Sequence, residues 1–211
     1  MKSLKKLLVM SICSIFMVGL SIGVHADEKI PYEDHEFTAI GCLTDENGNK
    51  YYIKGELVDT LAVFAMDDAG DKTVTYAFDT YATNSELQKG AFDSTGSVKS
   101  YISITYNTTG SADEYMLIKR VRGWWTISDP QVSVTSASLK YNCSGLTPHS
   151  ESVRQTNTIN NIVPDKTYNT NFSQYVLRDY SGQINATITT NLKRGSSSKW
   201  SFDVGLSIKN I

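Results

Sequence analysis

From Glu36 to Ile211, apolar and polar residues alternate with a period of two. Successive side chains on a strand point to opposite sides, so this pattern commits the chain to strands with one buried face. "EFTAIGCLTD" and "KYYIKGELVD" flank Asn47-Gly48, a strong hairpin signal. "TLAVFAM" and "KTVTYAFDTYA" flank the turn cluster "DDAGD". "SYISITYN" runs into the turn-rich "TTGSADE", and "EYMLIKRV" and "WWTIS" follow. Asp129-Pro130 then breaks the ladder ahead of "QVSVTSASLKYNC". "QINATITTNL" and "WSFDVGLSIKNI" close the series across "KRGSSS". About ten strands at this spacing predict an all-β fold, an antiparallel β-sandwich of jelly-roll or immunoglobulin type, with a barrel as the alternative.

Two local features refine that expectation. In "QVSVTSASLKYNC", Val132 and Val134 share one parity, while Ala137, Leu139 and Tyr141 share the other. A switch near Ser136 predicts a bulge or a crossing between sheets. The segments 84–94 and 144–167 lack the alternation; the second is a long polar connection of the kind that is functional, partly structured or mobile.

Residues 1–26 read as a secretory signal peptide. Lys2, Lys5 and Lys6 precede an uncharged apolar run from Leu7 to Val24, and Val24-His25-Ala26 supplies the cleavage signature. The expected product is a single domain over 27–211, secreted and extracellular, with no membrane anchor left after cleavage. Residues 27–93 carry 15 acids and 5 bases, whereas 94–211 carry 7 acids and 12 bases. An acidic chain without a dense Lys/Arg run argues against nucleic acid as a partner.

Two cysteines survive cleavage, Cys42 and Cys143. In an exported chain that count predicts one disulfide between them. No Cys/His spacing suggests zinc, and no other cofactor is implied. Of the remaining histidines, His35 lies in an acidic segment and His149 in the long connection, and no G-x-S-x-G stretch is present. A serine-histidine-aspartate hydrolase is therefore disfavoured. Carboxylates cluster at 44–47 and 66–70, where turn geometry already accounts for Asp and Asn. Asp67, Asp68 and Asp71 are the weak candidates for a calcium site, and they lack EF-hand spacing.

Aromatic residues are the richer signal, above all the adjacent Trp124 and Trp125. Neighbours on a strand face opposite ways, so one tryptophan at most can serve a given core. Taking Arg122-Gly123 as a two-residue turn pairs Arg120 with Trp125, Lys119 with Thr126 and Ile118 with Ile127. Trp125 then joins Ile118 and Ile127 as a core anchor. Trp124 joins Lys119 and Thr126 on the rim, where these three residues are the candidate binding site.

The run "LIKRVRGWWTISDPQVSVTS", from 117 to 136, resembles segments of small secreted β-proteins of Gram-positive bacteria. The resemblance implies location and fold class and brings no activity with it. The expectation is a non-catalytic binding module for a cell-envelope glycan or a surface protein. A secreted antimicrobial or pore-forming protein is the alternative, suggested by Ser/Thr-alternating strands such as "QVSVTSASL", and a hydrolase comes third.

Overall fold

The alternating strands pair into two antiparallel sheets packed face to face. The computed structural model describes residues 37–58, 70–80, 98–179, 183–196 and 198–208. By its internal contacts the chain divides into a unit over 1–35 and a unit over 36–211, and the second holds both sheets. The signal-peptide reading, His35 and the segment 84–94 all lie outside the described residues.

The strands are β1 (Phe37–Thr44), β2 (Lys50–Lys54), β3 (Glu56–Leu57), β4 (Lys72–Asp79), β5 (Val98–Thr109), β6 (Tyr115–Ile127) and β7 (Val132–Leu146). There follow β8 (Ser152–Val153), β9 (Thr156–Asn160), β10 (Thr167–Asn169), β11 (Val176–Leu177), β12 (Gln183–Arg194) and β13 (Ser198–Ile208). The first sheet has the order β2-β1-β13-β12-β7-β8, with β9 also on β7. The second has the order β10-β6-β5-β4-β3, with β11 also on β6. Each sheet keeps its own edges, so the fold is a sandwich and does not close into a barrel.

The inward faces form the core. Phe37, Leu43, Leu139, Ile188 and Phe202 of the first sheet meet Phe78, Ile102, Ile104, Ile118 and Val121 of the second. Fully burying one such side chain is worth roughly 1.5–3 kcal/mol, so alternation sustained over these strands drives the pairing of the sheets. The expected bulge is present: Asn191 opposes Ser136 and Leu192 opposes Val134, which leaves Thr135 as the extra residue on β7. Asp129 caps the passage between sheets after β6, accepting from the Gln131 amide at 2.8 Å through Oδ1.

Three expectations are corrected. Arg122-Gly123 is not a turn, because β6 runs unbroken from Tyr115 to Ile127 and pairs with β5. A Cβ at Gly123 would lie 2.8 Å from Ile188 Cδ1, so the glycine is there to let the two sheets approach. "KYYIKGELVD" is two strands, split at Gly55, where the chain passes from the first sheet to the second. A Cβ at Gly55 would meet Ala39 Cβ at 2.6 Å and the Phe78 ring at 2.7 Å. The long connection, in contrast, is partly structured as one of its readings had it, with β8 and β9 folding back onto β7.

The third correction is the disulfide. Neither Cys42 nor Cys143 is in a disulfide, and both are buried. Strands β13 and β12 lie between β1 and β7, so three strand gaps, roughly 14 Å, separate the two chains, and a disulfide needs Cα atoms within about 7 Å. The two thiols also face opposite ways. Cys143 points inward and donates to the Met116 carbonyl oxygen of the other sheet at 3.6 Å. Cys42 pairs with Asp203 and Tyr52 on the outward face.

Candidate functional site

Register places the site. Thr105 opposes Arg120 and Tyr106 opposes Ile118, so Lys119 is the extra residue of a bulge on β6. Its carbonyl oxygen accepts from the Thr170 amide at 3.0 Å and the Thr170 hydroxyl at 3.2 Å, which ties the β10 end of the sheet to the bulge. Beyond it, Val121 and Gly123 are buried, and Trp125 and Ile127 pack against the core. Arg120, Arg122, Trp124 and Thr126 therefore face outward.

On that outward face Trp124 lies opposite Tyr101 of β5. The two rings are parallel within 1°, with centroids 4.9 Å apart. The Arg122 guanidinium carbon sits 4.4 Å from the Trp124 centroid, and the Lys99 ammonium lies 5.8 Å over the Tyr101 ring. Tyr101 reaches the indole from the β5 side. Arg122 is held from the β10 side by Asp165, at 2.9 Å. The indole thus has two ring contacts, Tyr101 across the strands and Arg122 along β6, and is half-buried. A stacked aromatic pair contributes about 0.5–1.5 kcal/mol beyond area burial, and an exposed cation–π contact about 0.5–1 kcal/mol.

The cations of this face have acid partners: Arg122 with Asp165, Arg120 with Asp71 at 3.5 Å and Lys99 with Asp79 at 4.0 Å. Beside the aromatic pair runs a ladder of hydroxyls across β4 and β5. Thr73 and Thr105 share a hydrogen bond of 2.9 Å, and Thr75 donates to Ser103 at 3.1 Å. Ser103 and Thr105 are buried and Thr73 and Thr75 half-buried, so these hydroxyls satisfy one another, and the open part of the face is charge-balanced and aromatic.

Of the residues expected from sequence, Trp124 and Thr126 share this face. Lys119 does not join them, because it sits at the bulge five residues back along β6, roughly 17 Å away. Trp125 turns inward as expected but is half-buried, not enclosed. Tyr101, Arg122 and Lys99 were not foreseen. Their signal is the β5–β6 register, which the bulge shifts by one residue.

Asp67 and Asp68 lie outside the described residues. Asp71 is committed elsewhere: its carboxylate accepts from Asn107 at 3.2 Å and pairs with Arg120. Among the described residues no group of three His, Cys, Asp or Glu could hold a metal ion. His149 is exposed in the turn after β7. Burial pushes the Cys143 thiol up to about 11, and the backbone hydrogen bond at Ile118 only partly offsets this, so the thiol is a poor nucleophile at neutral pH. Among the described residues no helix is long and apolar enough to cross a membrane.

No family model matches the chain, and neither a curated protein nor a solved structure matches it.

Proposed function

We propose that this chain is an exported, non-catalytic binding module, and that its ligand docks on the outward face of the second sheet around Trp124. The observation that carries the reading is the parallel Tyr101–Trp124 pair, clamped by Arg122 and Asp165 on the solvent side of a sandwich. Rings already fixed in place lose little conformational freedom on binding, which is the advantage of a preorganised aromatic surface. Because the neighbouring cations are paired, net charge does not select the ligand. The stacked rings with the exposed Thr126 beside them suit a neutral, polyhydroxylated partner, and a cell-envelope glycan fits that chemistry better than a charged protein surface.

The test is a screen of immobilised neutral glycans with the purified protein and its Trp124→Ala and Tyr101→Ala variants. Each variant is expected to keep its fold and lose roughly tenfold or more in affinity for whatever glycan the protein retains. Equal retention by protein and variants would remove the aromatic face from the account. Release of dye from liposomes by the protein would replace this reading with the pore-forming one.

A further inference from the structure

The outward face of the first sheet carries a different charge pattern. Ile53, Leu139 and Leu192 are buried and Trp200 packs against the core, so the adjoining Lys54, Lys140, Lys193 and Lys199 face outward. None of these four lysines forms an ion pair among the described residues. Lys193 and Lys199 are directly opposite each other on β12 and β13. Like charges in that position are unfavourable for a sheet, and a counter-ion relieves them. The outward positions of β2, β1, β13, β12, β7 and β9 hold a single carboxylate, Asp203. Burial pushes Asp203 toward its neutral form, against the Thr189 hydroxyl that donates to it and the charge of Lys50.

The spacing of the cations decides what can engage them together. Lys54 and Lys140 lie in one row through Ile40, Gly205 and Thr187. That row crosses four strand gaps, roughly 19 Å. Lys193 lies six residues along β12 from Thr187, a further distance of roughly 20 Å in the perpendicular direction. One small anion cannot reach all three positions, but an extended one can. Between the lysines the surface is lined by small neutral donors and acceptors, including Thr187, Thr189, Asn191, Ser136, Ser138 and Ser201.

We propose that this face docks an anionic polysaccharide, an extended polymer whose repeats carry hydroxyl groups and spaced phosphate or carboxylate charges. The lysines take the charges and the Thr/Ser/Asn field takes the hydroxyls. Charge complementarity is the reason for an anionic partner. The remaining surface is the reason for a polysaccharide. Its outward strand positions hold no arginine, and the one exposed ring, Tyr52, stands on β2 at the sheet edge, which leaves little for nucleic-acid bases to stack on. Among the described residues Ile40, Tyr52 and Leu146 are the large exposed apolar side chains on the strands of this sheet, too few and too scattered for insertion into a lipid surface. This site stands apart from the aromatic face, and the two fail separately because different residues carry them.

The experiment titrates the purified protein with fluorescently labelled polygalacturonate and with a labelled phosphomannan. Neutral dextran, duplex DNA and vesicles containing anionic lipid are run beside them, at low and at physiological salt. Binding to one or both anionic polymers is expected, weakening as salt rises, and the stronger of the two identifies the charged group. The variant Lys54→Gln/Lys140→Gln/Lys193→Gln should lose roughly tenfold or more in affinity with its denaturant melt preserved. Lys166→Gln, a lysine outside this face, should bind as the parent does. Three results overturn the proposal: anionic polymers held no better than dextran, DNA or vesicles held in preference, or a folded triple variant that binds normally.

Discussion

Replacing Gly123 by alanine, alone and with Ile188→Val, tests why a glycine stands in the middle of β6. The added Cβ would lie 2.8 Å from Ile188 Cδ1, about 1 Å inside an ordinary carbon–carbon contact. The next neighbours, Ile162 Cδ1 and Ile188 Cβ, are at 3.5 Å and tolerate the methyl. Ile188 is fully buried, so its terminal methyl cannot swing aside without displacing core neighbours. Overpacking of this kind costs about 1–3 kcal/mol, offset by the roughly 0.5–1 kcal/mol that alanine saves in chain entropy. Gly123→Ala should therefore destabilise by about 1–2 kcal/mol in urea melts. Ile188→Val alone should cost about 1 kcal/mol, and it removes the clashing atom. The double variant should then be no less stable than Ile188→Val, a coupling of about 1–2 kcal/mol. Strictly additive costs would refute the packing account and return Gly123 to a backbone role.

Three further outcomes are expected. Gly55→Ala should cost about 3 kcal/mol, more than Gly123→Ala, because the clash is with the fixed Ala39 Cβ and the Phe78 ring rather than a side-chain tip; urea melts of the two variants give the ranking. Asp203 has its folded pKa raised above its ordinary 3.8, so its ionisation works against the fold as pH rises through the folded value. Asp203→Asn should accordingly raise the melting temperature at pH 7, with the gain fading below the ordinary carboxylate range, and thermal melts across pH would expose the opposite trend. Alkylation of the unreduced, denatured protein should label both Cys42 and Cys143, whereas in the native state Cys143 should resist reagent for as long as the fold persists.

Much of the fold was legible because its signals are local. The Asn47-Gly48 turn is closed by Asp45, whose Oδ1 accepts from the Asn47 amide at 2.9 Å and the Asn49 amide at 2.8 Å, all within five residues. The Thr135 bulge shows in sequence because it flips the parity of buried residues along a single strand. The opposite facings of Trp124 and Trp125 were legible for the same reason. Alternation along one strand holds whichever strand lies alongside, so that part of the reading survived the loss of the supposed turn.

The partners of those residues were not legible. Counting back evenly from the β5–β6 turn sets Ser100 opposite Trp124, and the bulge at Lys119 moves the pairing to Tyr101. A one-residue shift decides whether an inward serine or an outward ring faces the indole, and nothing near Trp124 announces it. Gly123 and Gly55 have the composition of turns, yet their work is steric and depends on Ile188, Ala39 and Phe78, residues distant in sequence or in the other sheet. The cysteine count suited a bridge that strand order forbids. Sequence by itself determined most of the strands, which way most side chains point and turns such as Asn47-Gly48, because period and turn chemistry act over a few residues. The tertiary structure alone decided which strands became neighbours and in what register. Those are the two quantities that join Tyr101 to Trp124 and set unpaired lysines around a field of hydroxyls.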